Sequence, residues 1–266
     1  IYARTDVGGA YRWEPETTQW RQMIDAESMP DAQPGDALSV DSIAVAPTDG
    51  QRLYIALGSD SNPGATDPLQ RDGRIMVSDD GGRTWHTGAQ RWFISGNQRF
   101  RVGSERLSVD PNDPDHVLFG SSREGLWQSF DAGTTWTQTP IEQVPLGQFA
   151  DRSSDQVGVG TTAFVDDELI AGVAGVAVFA SVDDGVTWRR IRDLEPGEYA
   201  AGAVEVGGQL WIALDRVEGG DAVVAIYDLA DDTSTDLSLP FSSGFATFAV
   251  DPADPQHMAL ADEAVR

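Results

Sequence analysis

Ser78-Asp79-Asp80-Gly81-Gly82-Arg83-Thr84-Trp85 is the stretch of sequence that decides the fold of this chain. It returns at 129–136 and at 181–188, with Ser, Asp, Gly, Thr and Trp at the same five places. The central aspartates of successive copies are 51 and 52 residues apart. A repeat of this length is typical of an array of identical supersecondary units, most often the blades of a propeller.

The repeated stretch has the composition of a tight turn between two strands. An Asp that follows Ser can accept hydrogen bonds from nearby backbone N–H groups, and the Gly that follows permits a left-handed backbone. The Trp offers a large apolar surface at the start of the next strand. An active site needs one asymmetric constellation, whereas these carboxylates recur in every unit. We therefore predict that the repeated aspartates are structural: Asp80, Asp131 and Asp183.

A second pattern marks the strand pair that precedes each turn. At 107–120 and 248–260 an apolar run, an Asp/Pro-rich turn and another apolar run follow one another. Joining the two patterns predicts four-stranded units at 41–88, 105–138, 160–191 and 203–239, with later strands of an earlier unit at 1–24 and the first two strands of another at 246–262.

The predicted fold is therefore all-β, a single propeller domain over 1–266 with about five four-stranded blades present. No stretch keeps a helical period of apolar residues for three turns. Incomplete rings leave unpaired strand edges. We expect either part of a longer protein or a ring closed imperfectly by pairing 246–262 with 1–24.

Composition narrows the range of partners. The chain has 18 Lys and Arg against 43 Asp and Glu, a formal charge of −25, and no cysteine. Such a charge repels nucleic acid and anionic membranes, so neither is an expected partner. The longest apolar run, 169–180, is too short to span a bilayer. A highly charged surface is common in exported or salt-adapted proteins, and we expect an extracellular protein, although no signal peptide is visible in this sequence.

The sequence offers few residues for several kinds of catalysis. Only three histidines are present, His86, His116 and His257, and each lies in a predicted turn or directly after a repeated Trp. A Ser-His-Asp triad or a multi-His metal site therefore has little to draw on, and no phosphate-binding glycine motif occurs. We expect no metal and no cofactor. Carboxylates with aromatic platforms remain, which is the chemistry of glycoside hydrolysis.

The unrepeated segment 1–13 closely resembles the opening blade of glycoside hydrolase family 74, the xyloglucan-cleaving endo-β-1,4-glucanases. The resemblance continues at Val40-Asp41-Ser42-Ile43-Ala44 and at 103–112. The repeated turn resembles the Asp-box of sialidases, sortilin-like receptors and several glycanases.

The family resemblance implies two propellers that face each other across a substrate cleft and an inverting reaction that uses one aspartate from each propeller. The family's N-terminal catalytic aspartate corresponds to Asp6 in Arg4-Thr5-Asp6-Val7-Gly8-Gly9. The second aspartate belongs to a C-terminal propeller outside this sequence, so we expect the chain alone to be inactive. The implied substrate is a xyloglucan-like β-1,4-glucan.

The residues themselves also favour Asp6, because it lies in a Gly-flanked turn outside the repeated pattern. Inversion needs an acid and a base about 6.5–9.5 Å apart. We favour the base for Asp6 and leave the acid open; the alternative is an ordinary Asp-Gly turn.

Six further residues are candidates for binding substrate. Arg4 and Tyr11 flank Asp6 and could orient it, and aromatic rings near it or in the long insertion 87–102 could stack on sugars. Glu105 is a further acidic candidate, with a structural Glu-Arg pair as the alternative. The full set is Arg4, Tyr11, Trp13, Trp92, Phe93 and Glu105.

Two other functions remain open for a propeller with these turns. A non-catalytic propeller that binds glycan or protein, like sortilin-type receptors or photosystem assembly factors, would need no special role for Asp6. A sialidase would carry an [FY]-R-I-P phrase before the first turn, and this sequence has none. The charge of −25 also disfavours an anionic sugar.

Overall fold

The structure is a computed structural model of the chain, and it describes residues 1–5, 8–25, 27–28, 39–58, 73–96, 105–147, 157–216, 223–239, 245–251, 253–255 and 257–262. These residues form strands and turns and no helix. The strands of the first half are β1 Tyr2–Arg4, β2 Ala10–Glu14, β3 Gln19–Gln22, β4 Val40–Ala46, β5 Asp49–Leu57, β6 Arg74–Ser78, β7 His86–Thr87, β8 Leu107–Val109, β9 Val117–Ser121, β10 Gly125–Ser129 and β11 Thr137–Gln138. Those of the second half are β12 Val159–Val165, β13 Glu168–Val173, β14 Ala177–Ser181, β15 Arg189–Asp193, β16 Glu198–Val206, β17 Gln209–Arg216, β18 Val223–Asp228, β19 Thr233–Ser238, β20 Phe245–Val250 and β21 Met258–Asp262.

The strands form six antiparallel sheets in chain order. The first sheet is β1-β2-β3, the second to fifth are four-stranded, and the sixth is β20-β21. Within each sheet, every strand pairs with its neighbour in the chain. The predicted units therefore match the sheets, including the three-stranded sheet at the start and the two-stranded one at the end.

The first strands of consecutive sheets pack side by side, in the order β1, β4, β8, β12, β16 and β20. This arrangement places the sheets as successive blades, each in contact with its neighbours along its innermost strand. The all-β propeller predicted from the repeat is confirmed.

The hydrophobic core lies between neighbouring sheets. Ala10, Met23 and Ile24 of the first blade pack with Leu53 and Ile55 of the second. A second cluster lies between the second and third sheets, and a third between the fourth and fifth. Strands such as β9, β12 and β14 are therefore buried on both faces. This explains why β12 and β14 are apolar or small at nearly every position, without the alternation of a half-exposed strand.

The connections fall into two groups because the strands are antiparallel. Turns between the first and second strands of a sheet, and the repeated turns between its third and fourth strands, lie at one end, here called the box end. Connections between the second and third strands, and from one sheet to the next, lie at the other end. The three-stranded first sheet corresponds to the last three strands of a unit, so its β1–β2 connection is equivalent to a second-to-third connection and lies at this other end, which we call the hairpin end. The Thr5 carbonyl after β1 accordingly accepts the N–H of Val40 at the start of β4.

The repeated turn has the same hydrogen bonds in all three copies. The Ser78 hydroxyl donates to Asp80 and accepts the N–H of Gly82, at 2.8 Å each. One oxygen of Asp80 accepts the N–H of Thr84 at 2.9 Å, and the other accepts its hydroxyl at 2.7 Å. The glycines Gly82, Gly133 and Gly185 all have positive φ. The predicted structural role of the repeated aspartates matches this geometry, and the turn is called the box turn below.

The third residue of the box turn is an ionised carboxylate. Burial opposes the charge of Asp80, but bonds from Thr84, Ser78 and Arg83 outweigh it and lower the pKa of Asp80 to about 2. Corresponding bonds lower the pKa of Asp131 and of Asp183.

In the part of the chain that the structure describes, no helix has the length and apolar character needed to cross a membrane.

Candidate functional site

The hairpin end carries the long connections of the propeller. The second sheet has 58–73 and 88–106 at this end, whereas its box end has only the turns 47–48 and 79–85. Rigid scaffolds present binding and catalytic residues on the longer connections at one end of the fold. A functional site is therefore expected at this end.

The hairpin between β1 and β2 is closed by four hydrogen bonds at its base. The N–H and the hydroxyl of Thr5 both donate to the Gly9 carbonyl, at 2.9 and 3.0 Å. The Thr5 hydroxyl accepts the N–H of Gly8 at 2.7 Å, and the Tyr11 hydroxyl donates to the Gly8 carbonyl at 2.8 Å. Asp6 lies between these residues in the chain but outside the described residues. What the structure describes is therefore the clamp on which Asp6 is carried.

Glycine is required at position 8 of this clamp. A Cβ atom there would lie 2.7 Å from the Thr5 hydroxyl oxygen, closer than any side chain tolerates. Gly9 follows with φ of +88°, a left-handed conformation that disfavours other residues. The geometry of the hairpin therefore explains why glycine occupies both positions 8 and 9.

An ion pair joins the hairpin to the third sheet. The Arg4 Nε lies 2.6 Å from the Glu105 Oε1. The other carboxylate oxygen of Glu105 accepts the Ser42 hydroxyl at 2.6 Å and the Ile43 N–H at 2.7 Å. Burial disfavours the charge of Arg4, but the carboxylate of Glu105 outweighs it and raises the pKa of Arg4. One carboxylate thus holds the first, second and third sheets together.

A buried guanidinium lies next to this ion pair. The Arg106 Nε is 3.3 Å from the Asp41 Oδ2, and both side chains are almost completely buried. The Arg106 Nη1 donates to the carbonyls of Val157 and Val159, at 2.7 and 2.6 Å. A charge this deep is tolerated only where it is paired and hydrogen-bonded. Burial lowers the pKa of Arg106, and Asp41 opposes that effect.

Together these residues form one group, here called the inter-blade cluster: Arg4, Asp41, Ser42, Glu105 and Arg106. It is the place where the three segments that carry the sequence resemblance, 1–13, 40–44 and 103–112, meet in space. Sequence reasoning assigned Asp41, Ser42 and Arg106 no role of their own. All three lie in segments that resemble the family, but a single sequence does not show that these segments contact one another.

The comparisons with known proteins agree with this convergence. No family model matches the chain. A xyloglucanase of Paenibacillus sp. is 32% identical over 98% of the chain, and xyloglucanase Xgh74A of Acetivibrio thermocellus is 32% identical over 96%. The GH74 xyloglucanase from Xanthomonas campestris has a solved structure that matches 97% of the chain with a TM-score of 0.80 and 26% identity.

The chain is a homologue of the family 74 glycoside hydrolases. It spans 27% of the Paenibacillus sequence, 33% of the Acetivibrio sequence and 39% of the Xanthomonas structure. The suspected family and the propeller fold are thereby confirmed, for a segment of about a third of those proteins.

Against this family 74 scaffold, the predicted substrate-binding residues divide into two groups. Arg4, Tyr11 and Glu105 lie at the hairpin end, where Arg4 and Glu105 bind each other and Tyr11 bonds to Gly8. Trp13 lies at the other end of β2, and its ring packs edge-on against Trp20 at 5.5 Å. The structure therefore does not bring Trp13 to the hairpin.

Trp92 requires a correction. Its side chain is 1% exposed and packs edge-on against Phe119, Trp127 and Trp136, with ring centroids 5.3 to 5.8 Å apart. A sugar needs a free ring face, and Trp92 has none to offer. Trp92 fills the core between the second and third sheets, which explains why the insertion carries a large apolar residue at this position.

Phe93, beside it, is half-buried rather than enclosed. Its N–H donates to Glu124 Oε2 at 2.9 Å, and the guanidinium of Arg123 lies 5.3 Å from the centre of its ring. The Arg123 contact is a cation–π arrangement that already covers a ring face. Phe93 therefore stays a candidate for contact with sugar, but not through the face that Arg123 covers.

Metal ligands do not gather within the described ranges: no group of three or more His, Asp or Glu side chains there could hold a metal ion. The three histidines lie in turns and strands. His116 is buried, with its Nδ1 3.1 Å from the Asp110 Oδ2 and its ring stacked on Phe130. This is the structural role that the Asp/Pro-rich turn predicts.

Proposed function

We propose that this chain is part of a secreted glycoside hydrolase that cleaves a xyloglucan-like β-1,4-glucan, and that Asp6 supplies one of its two catalytic carboxylates. The observation that carries the proposal is the convergence of three family-like segments at the hairpin. The 32% identity to two xyloglucanases over nearly the whole chain supports it.

The proposed reaction is inverting hydrolysis by an acid and a base. One carboxylic acid protonates the glycosidic oxygen, while a carboxylate on the opposite side of the sugar removes a proton from the attacking water. We assign the base to Asp6, carried on the clamp formed by Thr5, Gly8 and Tyr11. The acid would come from a second propeller, which faces this one across the glucan chain.

The test is Asp6→Asn in the full-length protein. Asn has nearly the same shape but cannot accept a proton, so we expect release of reducing ends from xyloglucan to fall by about 10³-fold or more. Thermal unfolding should be unchanged. The matched control is Asp231→Asn, which removes an exposed carboxylate from a turn at the box end and should leave activity intact. Retention of activity by Asp6→Asn would refute the assignment.

The isolated chain 1–266 separates the proposed function from a non-catalytic protein-binding propeller. We expect it to bind xyloglucan oligosaccharides weakly in titration calorimetry without cleaving them, because it carries one of the two carboxylates. A protein-binding propeller would bind no glucan, and cleavage by the chain alone would show that both carboxylates lie within it.

A further inference from the structure

The ion pair between Arg4 and Glu105 matters more for where it lies than for the stability that it contributes. Arg4 is two residues before Asp6, at the end of the strand that leads into the hairpin. Glu105 is 101 residues further along the chain and lies just before β8, the first strand of the third blade. Their side chains are 15% and 43% exposed, so solvent weakens the pair as a source of stability. Its geometric effect is larger, since it connects the hairpin to a different blade.

Glu105 is itself held in place from both sides. Arg4 binds Oε1 of Glu105, and the Ser42 hydroxyl and the Ile43 N–H donate to Oε2. The Ser42 hydroxyl also accepts the N–H groups of Arg106 and Leu107 at 2.9 and 3.0 Å. Rotating the carboxylate would break all of its own bonds together. The carboxylate therefore acts as a fixed point and not as a mobile surface charge.

The hairpin transmits this fixed position because it is rigid at its base. The Thr5 carbonyl also accepts the Val40 N–H at 3.3 Å, which ties the same end of β1 to the second sheet. The bonds of Thr5 to Gly8 and Gly9 join the two strands at the base of the hairpin, just outside the segment that contains Asp6. A displacement of Arg4 would therefore displace the residues that carry Asp6.

From these contacts we propose that Glu105 is a positioning residue: acting through Arg4, it sets the orientation in which the β1–β2 hairpin presents Asp6 to the glucan. The inference rests on the proposed function of Asp6. The oxygens of Glu105 bind Arg4, Ser42 and Ile43, so the role that we assign to it is positioning and not proton transfer. It acts on the placement of the base, and misplacement of a catalytic group by about 1 Å can cost about 10²-fold in rate.

The experiment is Glu105→Gln in the full-length protein, assayed on xyloglucan. Gln keeps the shape but loses the charge that holds Arg4. We expect kcat to fall by about tenfold or more with KM changed by less than about twofold, because a positioning residue acts on the base, whereas a residue that binds the glucan would raise KM. The matched control is Glu168→Gln, which removes the carboxylate partner of Arg189 at 3.2 Å on the fourth sheet and should leave kcat unchanged.

A double-substitution cycle tests whether Glu105 acts through Arg4. If it does, Arg4→Gln with Glu105→Gln should lower kcat no further than Arg4→Gln alone. Independent, multiplicative losses would overturn the inference, as would an unchanged kcat in Glu105→Gln. Should Glu105→Gln fail to fold, Glu105→Asp takes its place: the charge remains but the shorter side chain cannot hold Arg4 and Ser42 together, so kcat should still fall, and an unchanged kcat would overturn the inference.

Asp6→Asn, measured in parallel, distinguishes the two ideas. Activity in Asp6→Asn removes the proposed function and this inference with it. Loss of activity in Asp6→Asn together with full activity in Glu105→Gln removes only the inference.

Discussion

Asp80 illustrates how one side chain determines a turn. It accepts the Thr84 N–H and hydroxyl, the Ser78 hydroxyl and the Arg83 N–H, so its two oxygens organise the reversal of the chain between two strands. The ionised form is the better acceptor, which is why the pKa of this carboxyl is lowered to about 2. The same bonds from threonine recur around Asp131 and Asp183, so the repeated aspartates are fully used within their turns.

The lowered pKa of Asp80 gives a prediction for stability in acid. A folded-state pKa below the ordinary value of 3.8 means that the stabilisation is complete above about pH 4 and is lost as the pH falls towards about 2. We expect Asp80→Asn to lower the free energy of unfolding by about 1 kcal/mol at pH 6, and this deficit to narrow between pH 4 and pH 2.

Urea unfolding followed by tryptophan fluorescence at pH 6, 4, 3 and 2 measures this deficit. Asp193→Asn serves as the control, because that side chain is 81% exposed and pairs only across the surface with Arg190. A deficit that stays constant down to pH 2 would mean that the charge of Asp80 contributes nothing to the turn.

Interpretation of single residues from the sequence had more to work with for the repeated Asp80 than for the unrepeated Trp92. The role of Asp80 followed from its repetition and from elementary turn chemistry. Trp92 occurs once, in an insertion, and a single sequence carries no signal that separates a buried indole from an exposed one. The structure shows it enclosed by Phe119, Trp127 and Trp136. Its burial depends on packing between two sheets, which local sequence cannot encode.

At the scale of the element, the box turns place two successive residues in the left-handed region. The first of the two is Gly81 in one copy, but Ala132 and Asp184 in the others, with φ of +72°, +55° and +55°. A Cβ atom in this region clashes with the backbone and costs about 1 kcal/mol. The same left-handed conformation is therefore occupied by Gly in one copy and by residues with a Cβ atom in the other two.

We predict that Ala132→Gly raises the free energy of unfolding by up to about 1 kcal/mol, because it removes the left-handed strain that Gly81 avoids. The reciprocal change, Gly81→Ala, should lower it, and there the added Cβ would also meet Arg12 and Gln51 at 3.0 Å. Thermal unfolding of the two variants and of the parent protein measures the direction of each change in the free energy of unfolding. Opposite signs are required; a loss of stability in Ala132→Gly would show that flexibility of the unfolded chain dominates.

The strands themselves were predictable because each pattern is local. The Asp/Pro-rich turn and the box turn bracket the strand pairs of the unit at 105–138, which corresponds to β8–β11 within a few residues. The unit at 203–239 lacks both turns, and its apolar runs correspond to β16–β19 within a few residues. The inter-blade cluster was not predictable, since Arg4 and Glu105 are 101 residues apart and meet only when three blades assemble.

At the scale of the whole molecule, the dominant feature is charge. A net charge of −25 repels itself within a compact fold. Most described ion pairs have at least one exposed partner, such as Arg192 with Asp236 and Arg189 with Asp232, and such pairs contribute little. Self-repulsion should therefore outweigh local attraction.

We predict that sodium chloride stabilises the chain at pH 7, raising the midpoint of thermal unfolding by about 5 °C between about 10 mM and 500 mM. Screening removes more repulsion than attraction. The control is the same series near pH 4.1, the isoelectric point, where the net charge approaches zero and the effect should shrink. A midpoint that falls with salt at pH 7 would show that the ion pairs dominate.

The division of the molecule into a box end and a hairpin end has a consequence for how such proteins diversify. The box turns that close three of the sheets have one design and lie remote from the connections that differ in length. Exchange of those connections leaves the closing turns intact. What the hairpin end binds can therefore change by exchange of its connections, while the stabilising turns at the box end are inherited unchanged.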